Sequence, residues 1–115
     1  MKLTQFESDV MNVLIDKDPE QEVLKAQLAH AQVIERDYTG VGVYIHFSVP
    51  YDLPLLGTSH RLIETTPKLH LMHPSLEAGA GVLLWFKDGR IDTLECYTYE
   101  GKWPKDEAKF SLTRA

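Results

Sequence analysis

The sequence predicts an α+β domain in which an N-terminal helical hairpin packs on one face of a four- to five-stranded, mainly antiparallel sheet. Three observations carry this. Apolar residues before Ala31 recur at helical spacing behind two capping signals. After Ala31 the period falls to two, and Asp88-Gly89 joins two long runs of strand character. At 115 residues the chain has room for one domain, residues 1–115, and its 43% hydrophobic content is enough to build a core, which excludes intrinsic disorder.

The first helix is expected over about residues 4–15. Thr4-Gln5-Phe6-Glu7 has the form of a capping box, and Phe6, Val10, Val13 and Leu14 make one apolar stripe. Asp16-Lys17-Asp18 stops it. The second helix is expected over about 19–31, with Asp18 as N-cap and Pro19 at the first helical position, where a missing N–H is harmless. Val23, Leu24, Leu28 and Ala31 form its buried side.

The sheet is expected over about 32–99. Val33, Glu35 and Asp37 alternate with Ile34, Arg36 and Tyr38; Thr39-Gly40-Val41-Gly42 turns the chain; Val43, Ile45 and Phe47 then share a face opposite Tyr44 and His46. Pro50, Pro54 and Gly57, set among apolar residues, mark Val49 to Ser59 as an ordered loop. Residues 60–73 supply one or two strands, interrupted near Thr66-Pro67 because proline cannot donate to a ladder. Asp88-Gly89 is a strong type I′ hairpin signal. A two-residue loop there sets Phe86 by Ile91, Leu84 by Thr93 and Val82 by Glu95. Both faces of that hairpin are half apolar, as in strands covered on both sides or in strands with one face left to a partner. Residues 100–115 are an anchor, Trp103-Pro104, and a charged short helix or tail.

The formal charge of -5 is unevenly spread, because residues 1–60 hold four basic against nine acidic side chains and residues 61–115 balance. No basic stripe interleaved with aromatics offsets this, so nucleic acid is not an expected partner, whereas a basic protein is. No apolar run is long enough to span a bilayer, and acids occupy the place of a secretory h-region, so a cytoplasmic location with no membrane partner is expected. The single cysteine, Cys96, agrees with a reducing compartment.

Few residues invite chemistry. Among the histidines, His46, His70 and His73 are candidate metal ligands if they converge with a carboxylate, but their spacing matches no established ligand pattern. Glu95, set on an apolar face by the two-residue turn, is a candidate general acid or base with His46 or His70, in a cleft beneath the Val49 to Ser59 loop. The bland alternative is a solvated or hydrogen-bonded Glu95. Cys96, placed mid-strand, reads as a small buried hydrophobe. Tyr44, Trp85, Tyr97, Tyr99 and Trp103 are candidates for an interaction surface. Gly40-Val41-Gly42 and Gly79-Ala80-Gly81 share the pattern G-x-G-V-x-x-x-F with their following residues. Each runs into a strand, not into the helix a dinucleotide fingerprint needs, so they read as bulges or close backbone approaches and imply no cofactor.

Thr39-Gly40-Val41-Gly42, Gly79-Ala80-Gly81-Val82, Leu94-Glu95-Cys96-Tyr97-Thr98-Tyr99 and Trp103-Pro104, in this order, resemble a small family of uncharacterised bacterial proteins whose motifs carry no known activity. In size, acidity and plan the chain is also similar to cytosolic immunity proteins of bacterial toxin systems; that likeness is architectural and transfers no residue. The expected function is non-catalytic protein binding, either immunity-like or by homodimerisation. The alternative is a small hydrolase-like enzyme or ligand carrier using Glu95 with His46 or His70.

Overall fold

The structure is a computed structural model that describes residues 1–16, 18–57, 62–64 and 69–114, with the backbone alone of 62–64 and 114. The expected break at Thr66-Pro67, His60 and the end of the loop at Ser59 lie outside the described residues. Helix α1 spans Gln5–Ile15 and α2 spans Gln21–His30. Both halves of the capping box form: the Glu7 amide donates to the Thr4 hydroxyl (3.1 Å) and the Thr4 amide to Glu7 Oε1 (2.8 Å). Helix α2 begins later than its proline suggests. Asp18 Oδ1 accepts the Glu20 amide (2.9 Å), which turns the chain once before the helix starts.

Seven strands follow among the described residues: β1 Gln32–Tyr38, β2 Gly42–Ser48, β3 Leu62–Glu64, β4 Leu69–His73, β5 Leu76–Lys87, β6 Arg90–Thr98 and β7 Ser111–Arg114. Six form one antiparallel run in the order β1-β2-β6-β5-β4-β7, and β3 pairs with β5. The α+β plan stands, but a sheet of four or five strands is too small. Two causes enlarge it. Strand β5 is 12 residues long, so β4 and β3 pair along successive stretches of one edge. The C-terminal segment is not only an anchor and tail: after a 3-10 turn at Glu107–Lys109, β7 pairs with β4.

The Asp88-Gly89 turn has positive φ at both residues, +53° and +77°, as type I′ demands. Its register then departs from the simple two-residue prediction. Phe86 faces Ile91, but a bulge at Asp92 makes Trp85 face Thr93, Leu84 face Leu94 and Leu83 face Glu95. One extra residue exchanges the faces of everything beyond it. Leu94 and Cys96 thereby enter the core, and Glu95 is moved out of it. A second bulge, at Ile34 of β1, turns Arg36 toward the helices.

The helices and the C-terminal segment cover one face. Val10, Leu14 and Leu24 pack with Ile45, Leu84, Leu94 and Cys96, all essentially without solvent exposure. Each such Leu or Ile contributes about 2–3 kcal/mol through burial. Two polar devices complete this side. Arg36 makes a bidentate pair with the fully buried Glu7 (2.7 and 2.9 Å), and this hydrogen-bonded carboxylate raises the guanidinium pKa further. Gln27, also fully buried, donates to Pro54 O and Gly89 O (both 3.0 Å) and accepts the Ile91 amide (2.9 Å). One side chain of α2 thus holds the tip of the β5–β6 hairpin and the preceding loop together.

Candidate functional site

The opposite face of the sheet carries no helix among the described residues. Pairing across β1, β2, β6 and β5 arranges it in rows: Asp37, Tyr44, Glu95 and Leu83, with Glu35, His46, Thr93 and Trp85 beside them. A third row sets Tyr97 between Gly42 and Gly81. This accounts for the two matching glycine segments. A Cβ at Gly42 would meet the Cys96 carbonyl, and one at Gly81 would lie 2.7 and 2.8 Å from the Tyr99 and Tyr97 hydroxyls. Gly42 thus permits close approach of the β6 backbone, and Gly81 makes room for the Tyr97 and Tyr99 rings. The strands of the two glycines, β2 and β5, both neighbour β6 and do not touch each other in the ladder.

Four of the five expected surface aromatics share this region. Trp85 is 42% exposed, Tyr44 37% and Tyr99 46%, while Tyr97 is half-buried with its ring edge-on to Tyr99 at 5.8 Å. Trp103 belongs elsewhere. It is buried with Phe6 and Phe110, at ring distances of 6.2 and 5.0 Å, and its indole N–H donates to Glu107 (2.8 Å). Trp103 is a core residue because α1 starts directly against it.

A shallow groove of about 400 Å³ runs along the open face, lined by Tyr44, His46, Trp85, Phe86, Lys87, Asp92 and Thr93. It continues past His46 toward Ile34, Glu35 and Phe47. His46 Nδ1 lies 3.0 Å from the Thr93 hydroxyl, which donates to Asp92 Oδ2 at 2.9 Å. Glu35 Oε1 stands 3.9 Å from His46 Nε2. Glu95 accepts the Trp85 indole N–H (3.2 Å), so this carboxylate is a half-exposed hydrogen-bonding partner and not a group forced into an apolar core.

Of the expected acid and imidazoles, Glu95 and His46 share one face on the adjacent strands β6 and β2, and His70 does not join them. His70 lies exposed on β4, and β5 and β6 separate that strand from β2 and His46. His73 is buried on the helix side. Its Nδ1 accepts the Ser75 amide (3.1 Å) and its Nε2 contacts the Asp106 carbonyl (2.9 Å), so both ring nitrogens serve the fold. Among the described residues no group of three or more His, Cys, Asp or Glu is placed to hold a metal ion. The cleft beneath the loop is lined by Tyr51, Val49 and the hairpin tip, without Glu95, His46 or His70. Cys96 is fully buried between Val43 and Val82, and burial pushes its thiol pKa well up, which removes its nucleophilic form.

Sequence reading found Tyr44, Trp85 and His46 but not the residues that organise them. Thr93 joins His46 through the unbroken β2–β6 register, Glu35 joins it through the β1–β2 register after the bulge at Ile34, and the β5–β6 bulge at Asp92 brings Trp85 opposite Thr93. No local spacing signals that convergence. Among the described residues no helix is long and apolar enough to cross a membrane. No family model, curated protein or solved structure matches the chain.

Proposed function

We propose that the protein is a non-catalytic binding module whose contact surface is the open sheet face and whose partner is a basic protein segment. The observation that carries this reading is a sheet covered by helices on one side while its other side leaves Tyr44, Trp85 and Tyr99 between 37% and 46% exposed. Tyrosine and tryptophan combine large apolar area with polar edges, and contiguous exposed patches of this kind mark interaction sites. Glu35, Asp37, Asp92 and Glu95 surround the rings, and among the described residues Lys87 is the one cation lining the groove. That balance selects a cationic partner and speeds its encounter. It disfavours a second copy, since two such faces would set carboxylates against carboxylates.

The test is a titration with a short peptide of alternating Lys, Arg and Leu, followed by amide and indole NMR shifts at several salt concentrations. The reading expects saturable shifts centred on Tyr44, Trp85, Glu95 and Thr93, weakened by salt, and none with the Glu-for-Lys/Arg peptide. Shifts spread over the helices, or absent at saturating peptide, would refute it. Light scattering separates the homodimer alternative: a dimeric mass lost in Trp85→Ala would replace a foreign partner with a second copy.

A further inference from the structure

The network at His46 fixes which of its nitrogens is available. A threonine hydroxyl carries one hydrogen, and Thr93 gives its hydrogen to Asp92 Oδ2 (2.9 Å). Its oxygen therefore accepts from His46 Nδ1–H at 3.0 Å. In the neutral ring the remaining nitrogen, Nε2, is then an acceptor, and it stands 3.9 Å from another acceptor, Glu35 Oε1. Two acceptors thus face one another on the groove wall. Asp92 lies on one side, and the rings of Tyr44 and Trp85 line the groove alongside.

We infer that this groove is the seat of an arginine side chain, the anchor by which the basic partner is held; the inference rests on the binding reading above. The chemistry of the groove is complementary to a guanidinium in three respects. Its acceptors, His46 Nε2, Glu35 and Asp92, call for a group rich in N–H donors and without acceptors, and arginine has five donors and none of the other kind. Its aromatic rings suit a flat, weakly hydrated cation, which stacks where an ammonium stays hydrated. The shallow, open form admits a side chain presented by another protein without rearrangement of the sheet. Lys87 also lines the groove and its like charge opposes a guanidinium, but Glu35 and Asp92 outnumber it.

The probes that test this are N-acetyl-arginine methylamide, its lysine counterpart and its uncharged ureido isostere from citrulline, each titrated into the full chain and read from the Trp85 indole and His46 ring signals. The arginine probe is expected to give saturable shifts at both, with the lysine probe at least about fivefold weaker and the citrulline probe without effect. Glu35→Gln and His46→Ala are each expected to weaken the arginine probe at least about tenfold while the Trp103 indole signal stays in place, which reports an intact core. Equal response to arginine and lysine, or an undiminished response in both variants, would overturn the assignment. If the alternating basic peptide still binds the face while the arginine probe does not, the anchor is wrong and the binding reading survives. If neither binds, both fall.

Discussion

On the covered face of the sheet, ionised and polar groups are locked: Glu7 takes three hydrogen bonds from Arg36 and the Thr4 amide, and Gln27 saturates all three of its contacts. On the open face His46, Glu35, Asp92 and Glu95 stand among half-exposed rings, and their acceptors are only partly engaged by the fold. The same strands build both faces. What differs is what lies over them, and the contrast teaches that polarity buried by a fold stabilises it, whereas polarity left in a groove is available to a ligand.

That contrast is broken most severely at Arg36. Arg36→Ala strands the Glu7 carboxylate without its cation in the interior, and an expected loss of about 3–4 kcal/mol in denaturant unfolding follows. Loss below about 1 kcal/mol would place the pair in a solvated setting and erase the distinction between faces. Gln27→Leu comes next. It keeps the volume but orphans the Ile91 amide and the Pro54 carbonyl, for an expected loss of about 2–3 kcal/mol.

The open face should respond the opposite way. Tyr44→Ala and Trp85→Ala are each expected to lower stability by about 1 kcal/mol or less, because much of each ring already meets water, while removing the saturable NMR response to the basic peptide. A large stability loss with unchanged binding would invert the assignment of the faces.

The smallest effect is expected at Glu107, beside α1 on the covered side. Glu107 has its carboxyl pKa raised above 4.5, mainly by burial, partly offset by the Trp103 N–H, with Glu7 nearby adding to the rise. The folded state therefore holds this proton more tightly than the unfolded chain, so ionisation costs stability above the raised value and the cost vanishes as pH falls below 4.5. Glu107→Gln is expected to stabilise the protein at neutral pH by about 0.5 kcal/mol or less, with no difference below about pH 4, in thermal unfolding followed across pH.

Much of the fold was legible because its signals are local. The capping box at Thr4 to Glu7 and the turn at Asp88-Gly89 need only neighbouring residues, and each forms as its chemistry requires. The extra strands were not. Ser111–Arg114 is too short to show a period, and β3 is recognised only by its pairing with the long β5. The candidate site was half legible, since Tyr44, Trp85 and His46 declare themselves by type, while Trp85 comes opposite Thr93 through the bulge at Asp92 and Glu35 comes opposite His46 through the bulge at Ile34. Without the bulge at Asp92, Glu95 would face the core. The sequence's apolar pattern alone does not distinguish that register from the observed one until Leu94 and Cys96 are seen filling the space under the helices. Gln27 escaped notice for a related reason: a glutamine on an amphipathic helix reads as surface until three backbone groups converge on it.

Acrylamide quenching of the two tryptophans, one at a time, tests the asymmetry of the sheet most directly. Trp103→Phe leaves Trp85 as reporter, and Trp85→Phe leaves Trp103. Quenching of Trp85 should be several-fold more efficient than that of Trp103, as expected for indoles 42% and 9% exposed. Equal quenching of the two would mean that something covers the second face as completely as the helices cover the first, and the open binding surface would not exist.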